Sequence, residues 1–182
     1  MADVDGPDRL AVPANSLDHG LGEVTAEFVL VQYGDYASER SAEAFWVADE
    51  VRRWLEPRLR LVYRHCTDVR IASLSRLAAE AAEAAAMQER FWQMHRKIVA
   101  SPSAIDLPTV FTYARALQLD RVKFLQDLRQ GAGLAALVRH WDDCQRDGIV
   151  SAPVLFVNGY RYLGDLDADE LIESLDRFGN DG

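Results

Sequence analysis

The chain has 182 residues, a length that suits one domain with an inserted subdomain better than two independent folds. Hydrophobic residues make up 49% and charged residues 27%, the balance of a folded globular protein rather than a disordered one. The net charge of −9 and the pI near 4.9 argue against a basic face for DNA or RNA.

Residues 1–24 are rich in turn formers and show little periodicity, which predicts an irregular N-terminal arm. They contain no basic patch followed by an apolar stretch, so no secretory signal is visible and a cytoplasmic location is expected. The longest apolar runs, such as Phe28-Val29-Leu30-Val31, are too short to cross a bilayer, so no membrane insertion is expected. Glu27 to Tyr33 is a β-rich apolar run bounded by Gly34-Asp35 and reads as a buried strand. From Glu39 to Leu55, Ala42, Phe45, Trp46, Val47, Val51 and Trp54 recur at helical spacing, and Pro57 ends that helix. Leu59 to Tyr63 alternates like a second strand, so the first third is a βαβ unit.

The middle of the chain is helical. Ser75 to Ala100 is Ala-rich with few breakers and reads as helical, its Phe91 to His95 segment carrying a wide apolar face. Pro108 to Leu117 starts on a proline, Arg121 to Leu128 follows, and a longer helix after Gly133 runs to about Asp147. Gly148 closes that last helix as a C′ glycine does. Pro153 to Asn158 and Tyr160 to Leu163 flank Asn158-Gly159, a hairpin signal, and Asp169 to Phe178 gives a final amphipathic helix. The order is β-α-β, a helical insert, then α-β-β-α. It predicts an α/β thioredoxin fold (βαβ plus ββα) built from residues 25–66 and 148–182, with an all-helical insert over 67–147.

Four stretches resemble one family in the right order. They are Tyr33-Gly34-Asp35-Tyr36-Ala37 before Ser38-Glu39-Arg40-Ser41, Tyr63-Arg64, Gln88 to His95, and Gly148 to Gly159. From about Asp18 to the C-terminus the sequence resembles bacterial DsbA-like thioredoxin-fold proteins, the thiol:disulfide oxidoreductases, including the thioredoxin-like domains fused to some NhaA sodium/proton antiporters. The resemblance implies that the first helix opens where those relatives carry Cys-Pro-x-Cys, and that Pro153 lies in a cis-proline loop. Here Ser38 and Ser41 occupy the two cysteine positions. Disulfide exchange requires a thiolate and a resolving thiol, and a serine hydroxyl supplies neither. Loss of dithiol redox activity at this motif is therefore expected.

The resemblance assigns the catalytic positions to Ser38 and Ser41, and ligand binding to Tyr36, Ala152 and Pro153. The backbone of Ala152 would then meet an extended peptide, a protein partner or a small thiol ligand. Kappa-class glutathione transferases and 2-hydroxychromene-2-carboxylate isomerases are similar in fold and use Ser-Pro-x-Ser here, their first serine holding the glutathione sulfur. The alternative is therefore a glutathione-dependent transferase or isomerase using Ser38, although Glu39 replaces the proline and adds a negative charge. A second alternative is a structural or regulatory domain that self-associates, with a homodimer as one form. No cofactor is expected beyond glutathione as ligand or co-substrate.

Plain structural roles compete at each position. Ser38 reads equally as a helix N-cap and Ser41 as a solvated first-turn residue. His95 reads as a helix-packing or surface residue, and Phe91, Trp92 and Met94 as core of the insert. His65 beside Cys66 reads as a solvated histidine and a buried thiol, and Trp141 with Asp142 and Asp143 as a packed aromatic beside a solvated acidic face. Cys66 and Cys144, far apart in sequence, read as two separate buried thiols. No Cys-x-x-Cys or His-x-x-x-His spacing occurs, so no metal site is expected.

Overall fold

A computed structural model describes residues 9–179, with side chains described through residue 177. Five strands form one mixed sheet: β1 (His19–Leu21), β2 (Phe28–Gly34), β3 (Leu59–His65), β4 (Val154–Val157) and β5 (Tyr160–Arg161). Their spatial order is β1-β3-β2-β4-β5, with β2 and β3 parallel and the other neighbours antiparallel. The parallel pair is joined through α1 (Glu39–Leu55). Between β3 and β4 run α2 (Leu74–Ala86), α3 (Phe91–Val99), α4 (Leu107–Ala116), α5 (Arg121–Gln130) and α6 (Leu134–Arg146), and α7 (Ala168–Gly179) ends the described chain. This is the α/β thioredoxin arrangement with a helical insertion that the sequence predicts.

The central strands are apolar on both faces because both are covered. Phe28, Leu30, Leu59, Leu61, Leu155 and Val157 point into the larger core with α1 and α7. Val31, Tyr33, Val62 and Phe156 point the other way, where Cys144 and Trp141 of α6 and the segment around Leu10 and Ala14 cover them. The β4–β5 hairpin turns on Asn158 and Gly159 at φ +48° and +84°, the backbone that a tight primed turn needs. Asn158 also accepts a hydrogen bond from the Val29 N–H at 2.8 Å, fixing the hairpin to β2.

Three local expectations are corrected or refined. The arm expected to be irregular contains β1, which pairs with β3 from His19 opposite Tyr63 to Leu21 opposite Leu61. A three-residue edge strand has no periodicity to detect, and its partner lies some forty positions downstream. The stretch from Ser75 to Ala100 is two helices, broken at Met87–Arg90 where Glu89 takes φ +58°. No glycine or proline marks that break, so composition gave no warning. β3 runs two residues further than expected, to His65, and its pairing continues as the Cys66 N–H donates to the Gly34 carbonyl at 2.9 Å.

Alanines explain how α2 enters the middle of the insert. Ala78, Ala79, Ala81, Ala82, Ala84 and Ala85 are all essentially buried. Methyl-sized side chains let α3, α4, α5 and α6 approach this helix from several sides. At Gly133 an added Cβ would run into Glu83 of α2. Glycine is needed there for close approach rather than for its backbone freedom, since its φ is −88°.

Candidate functional site

The start of α1 follows directly from β2. Ser38 is the N-cap and accepts the Ser41 N–H at 3.1 Å, one of the donors a helix start leaves unpaired. Ser38 is half-buried, whereas Ser41 is buried at 3% exposure, so it is not the solvated residue expected. The Ser41 hydroxyl accepts from the Asp35 N–H at 3.2 Å, and its carbonyl accepts from the Gln32 amide at 2.8 Å. A hydroxyl chain continues behind it: Thr67 meets Ser75 at 2.9 Å, and Ser75 donates to the Asp35 carboxylate. The motif is thus tied to β2 and α2 by hydrogen bonds. Among the described residues, no imidazole is hydrogen-bonded to either serine. A serine nucleophile needs such a base, so this arrangement does not support covalent catalysis by Ser38 or Ser41.

The Ala152–Pro153 peptide bond is cis, and both residues are half-buried. Pro153 lines a cavity of about 370 Å³ together with Ser151, Arg40, Arg161, Tyr162 and Leu163. Arg40 brings the first turn of α1 to the same cavity as the proline loop. The positive end of the α1 dipole lies on this side of the molecule. Exposed Val150 and Leu163, at 87% and 65%, leave its rim apolar.

Tyr36 lies deeper than a groove residue would. It is 3% exposed, and its ring packs among Tyr63, His65 and His95. Its hydroxyl is 2.7 Å from His95 Nδ1. Burial pushes the Tyr36 hydroxyl well above its usual range and the His95 imidazole well below it, so a neutral Tyr36 O–H donates to a neutral ring. His95 is the packing residue of the two readings, with Phe91 and Met94 buried beside it and Trp92 partly buried. We expect Tyr36→Phe to lower unfolding free energy by about 1–3 kcal/mol, because it strands a buried acceptor. Chemical denaturation of the variant beside wild type checks this, and an unchanged midpoint would contradict it.

On the opposite face the separate-thiol expectation fails. Cys66 and Cys144 form a disulfide with a Cα–Cα distance of 5.8 Å. Sequence distance misled here, because the residue after β3 and the last turn of α6 meet in the smaller core. Beside it lies a buried polar network. The Arg64 guanidinium, 0% exposed, grips Asp18 through Nε at 3.0 Å and Nη2 at 2.9 Å. Its remaining donors reach the carbonyls of Val12 and Pro13 at 2.8 and 3.1 Å and the Tyr33 hydroxyl at 3.0 Å. Tyr33 donates onward to Asp147 at 2.7 Å, and Asp147 accepts the Ala11 N–H at 2.6 Å. Burial alone would raise the Asp18 carboxyl, but hydrogen bonds from His140 and Arg64 hold it well below the usual carboxylate range. Asp143, expected in solvent, is 3% exposed and bonded to Arg146 at 3.2 Å.

His65 is likewise not solvated. It is 1% exposed, with Nε2 at 3.0 Å from Glu83 Oε1, and His19 Nε2 reaches the same oxygen at 2.9 Å. His140 of α6 completes the group, with Nδ1 3.4 Å from the His65 backbone nitrogen. All four of the chain's histidines are thus used inside or at the edge of the protein interior. No spacing rule could have found this group, because its members come from β1, β3, α2 and α6.

No family model matches the sequence. The chain is 38% identical over 162 residues, 87% of its length, to the Na(+)/H(+) antiporter NhaA 1 of Mycobacterium sp. (strain KMS), where the match covers 26% of that protein. It is 31% identical over 165 residues to NhaA 1 of Salinispora arenicola, covering 89% of this chain and 25% of the relative. The chain therefore spans about a quarter of the length of the curated relatives it matches. Among solved structures it is similar to BdbD from Bacillus subtilis in its oxidised form, with a TM-score of 0.83, 18% identity and coverage of 96% and 98% of the two chains. A thioredoxin-like oxidoreductase from Silicibacter pomeroyi gives a TM-score of 0.81 at 21% identity, covering 92% and 95%. Among the described residues no helix is long and apolar enough to cross a membrane. The chain thus has the DsbA-like form of the thioredoxin fold, with serines where the first helix begins and a disulfide elsewhere.

Proposed function

We propose that this is a DsbA-like module that has lost dithiol exchange at its first helix and holds an extended peptide or a small thiol ligand beside the Pro153 loop. The observation that carries the reading is Ser38-Glu39-Arg40-Ser41 at the start of α1, with Arg40 and Pro153 lining one cavity. Serine keeps the helix-start hydrogen bond and removes the nucleophilic sulfur. The backbone beside Pro153 survives that change and still offers strand-like pairing to a peptide. The Cys66–Cys144 bond is a persistent disulfide in this reading, which favours an oxidising compartment over the cytoplasm.

Insulin reduction with a dithiol donor tests the proposal. Wild type is expected to stay at background, while Ser38→Cys with Ser41→Cys gains turnover. Wild-type activity that disappears in Cys66→Ala with Cys144→Ala would overturn it, because the redox pair would then be the relocated one.

A second reading, glutathione chemistry at Ser38, draws on the same cavity, which Arg40 lines two residues after Ser38 although Ser38 itself does not. Its volume of about 370 Å³ suits a small ligand, and Arg40 supplies positive charge for a carboxylate. Saturable glutathione binding with a depressed thiol pKa, abolished by Ser38→Ala, would select this reading. No binding at millimolar glutathione would leave the peptide or protein ligand. Because Ser38 is also a cap, the alanine variant is expected to lose about 0.5–2 kcal/mol of stability and must be assayed well below its unfolding midpoint.

A further inference from the structure

The buried histidines and Glu83 form a set of donor atoms that the proposed ligand groove does not use. His65, Glu83 and His140 present one ligand atom each, all within 4.8 Å of one another, and all three residues are buried. They come from three different elements, β3, α2 and α6, so the site is built by the fold rather than by a local loop. His19 of β1 adds a third imidazole, 2.9 Å from the Glu83 oxygen that His65 also contacts at 3.0 Å, but it lies outside the mutually close set. Neighbouring ligands around a tetrahedral ion with metal–nitrogen bonds of about 2.0–2.1 Å lie about 3.3–3.4 Å apart, so these two hydrogen bonds would open by a few tenths of an ångström to admit one.

Two further observations bear on the site. His140 directs Nε2 toward Asp18 Oδ1 at 3.5 Å while Nδ1 faces β3, and Asp18 is itself clamped by Arg64. A carboxylate behind an imidazole is what orients a metal-ligating histidine. Finally, Gly133 brings α6 against Glu83 where any larger residue would push the two helices apart. The His19 side chain, at 21% exposure, offers a route from solvent.

We propose that His65, Glu83 and His140 form a binding site for one divalent transition ion of the Zn²⁺ type, with His19 beside Glu83 at its edge. Two imidazoles and a carboxylate are borderline donors that suit Zn²⁺ or Co²⁺ and disfavour Ca²⁺ or Mg²⁺, which require mostly oxygen. Its three ligands tie β3, α2 and α6 together, and His19 links β1 to the site through Glu83.

The test is a Co²⁺ titration of the full chain after treatment with a chelator, followed by Zn²⁺ displacement. One Co²⁺ per chain with visible bands of tetrahedral intensity is expected, and Zn²⁺ should abolish them. Glu83→Gln should weaken uptake by at least the roughly 10–100-fold that loss of a hydrogen-bond partner behind a ligand costs. Because that variant alters a buried group, ring nitrogen NMR of the wild-type chain provides a readout that does not depend on it. Zn²⁺ should shift the His65 and His140 resonances and leave His95, bonded to Tyr36, in place. Failure to take up metal in excess Co²⁺ or Zn²⁺ would overturn the site, and so would uptake that leaves His65 and His140 unmoved.

Discussion

Arg64→Ala is expected to remove about 3–5 kcal/mol of stability, the range for breaking a buried ion pair by deleting one partner. The size follows from what remains behind. Asp18 would lose its cation and keep only the Asn15 N–H and the His140 imidazole, the Val12 carbonyl would lose the guanidinium, and the Pro13 carbonyl would keep only the Asn15 amide. Tyr33 would keep its bond to Asp147 and lose the cation beside it. Arg64 is thus a central tie on residues 11–18, beside Asp147 on the Ala11 N–H and Arg139 on the Leu17 carbonyl. Arg64→Lys should recover only part of the loss, because an ammonium cannot span both oxygens of Asp18 while also reaching two carbonyls and a phenol. Denaturant unfolding of the three proteins measures the series. Equal midpoints for wild type and alanine would show that the network contributes nothing net. A more stable Arg64→Met with Asp18→Leu would show that burial of the pair is itself a cost, as it is in some proteins.

What could be read from the sequence, and what could not, divides along the range of the interactions. α1, the hairpin at Asn158-Gly159 and the helix stop at Gly148 depend on residues a few positions apart, and their signals are local. Asn158 and Gly148 take positive φ where such residues are favoured. Ser38 shows both sides of the matter. Its capping role is written in its neighbours, but whether its hydroxyl meets a ligand depends on the Pro153 loop more than a hundred positions away. The break after Ala86 is invisible because Glu89 adopts its left-handed backbone without a glycine to announce it. Cys66 and Cys144 carry no spacing signature, and only the packing of α6 on β3 makes them partners. The histidines are the extreme case. Scattered over four elements, they read singly as packing or surface residues, and only the fold gathers three of them around Glu83.

The Cys66–Cys144 bond carries the other large expected effect. It closes a loop with a sequence separation of 78, and the chain-entropy relation gives about 4–5 kcal/mol for a loop of that length. Measured effects usually fall below that limit, so Cys66→Ala with Cys144→Ala is expected to lose about 2–4 kcal/mol. Reductant should shift the wild-type unfolding midpoint in the same direction and leave the double variant where it is. The m-value should rise on reduction, since an unfolded chain freed of the cross-link exposes more surface. A midpoint insensitive to reductant would mean that α6 and β3 hold together without the bond. The consequence extends beyond stability, because the bond joins the residue after His65 to the helical turn after His140. If those two histidines bind metal, cutting the disulfide loosens the frame that holds them. Metal affinity in the double variant should then fall although no ligand has been changed. An unchanged affinity would show that α2, through Glu83 and the close approach at Gly133, is enough to hold the two histidines in register.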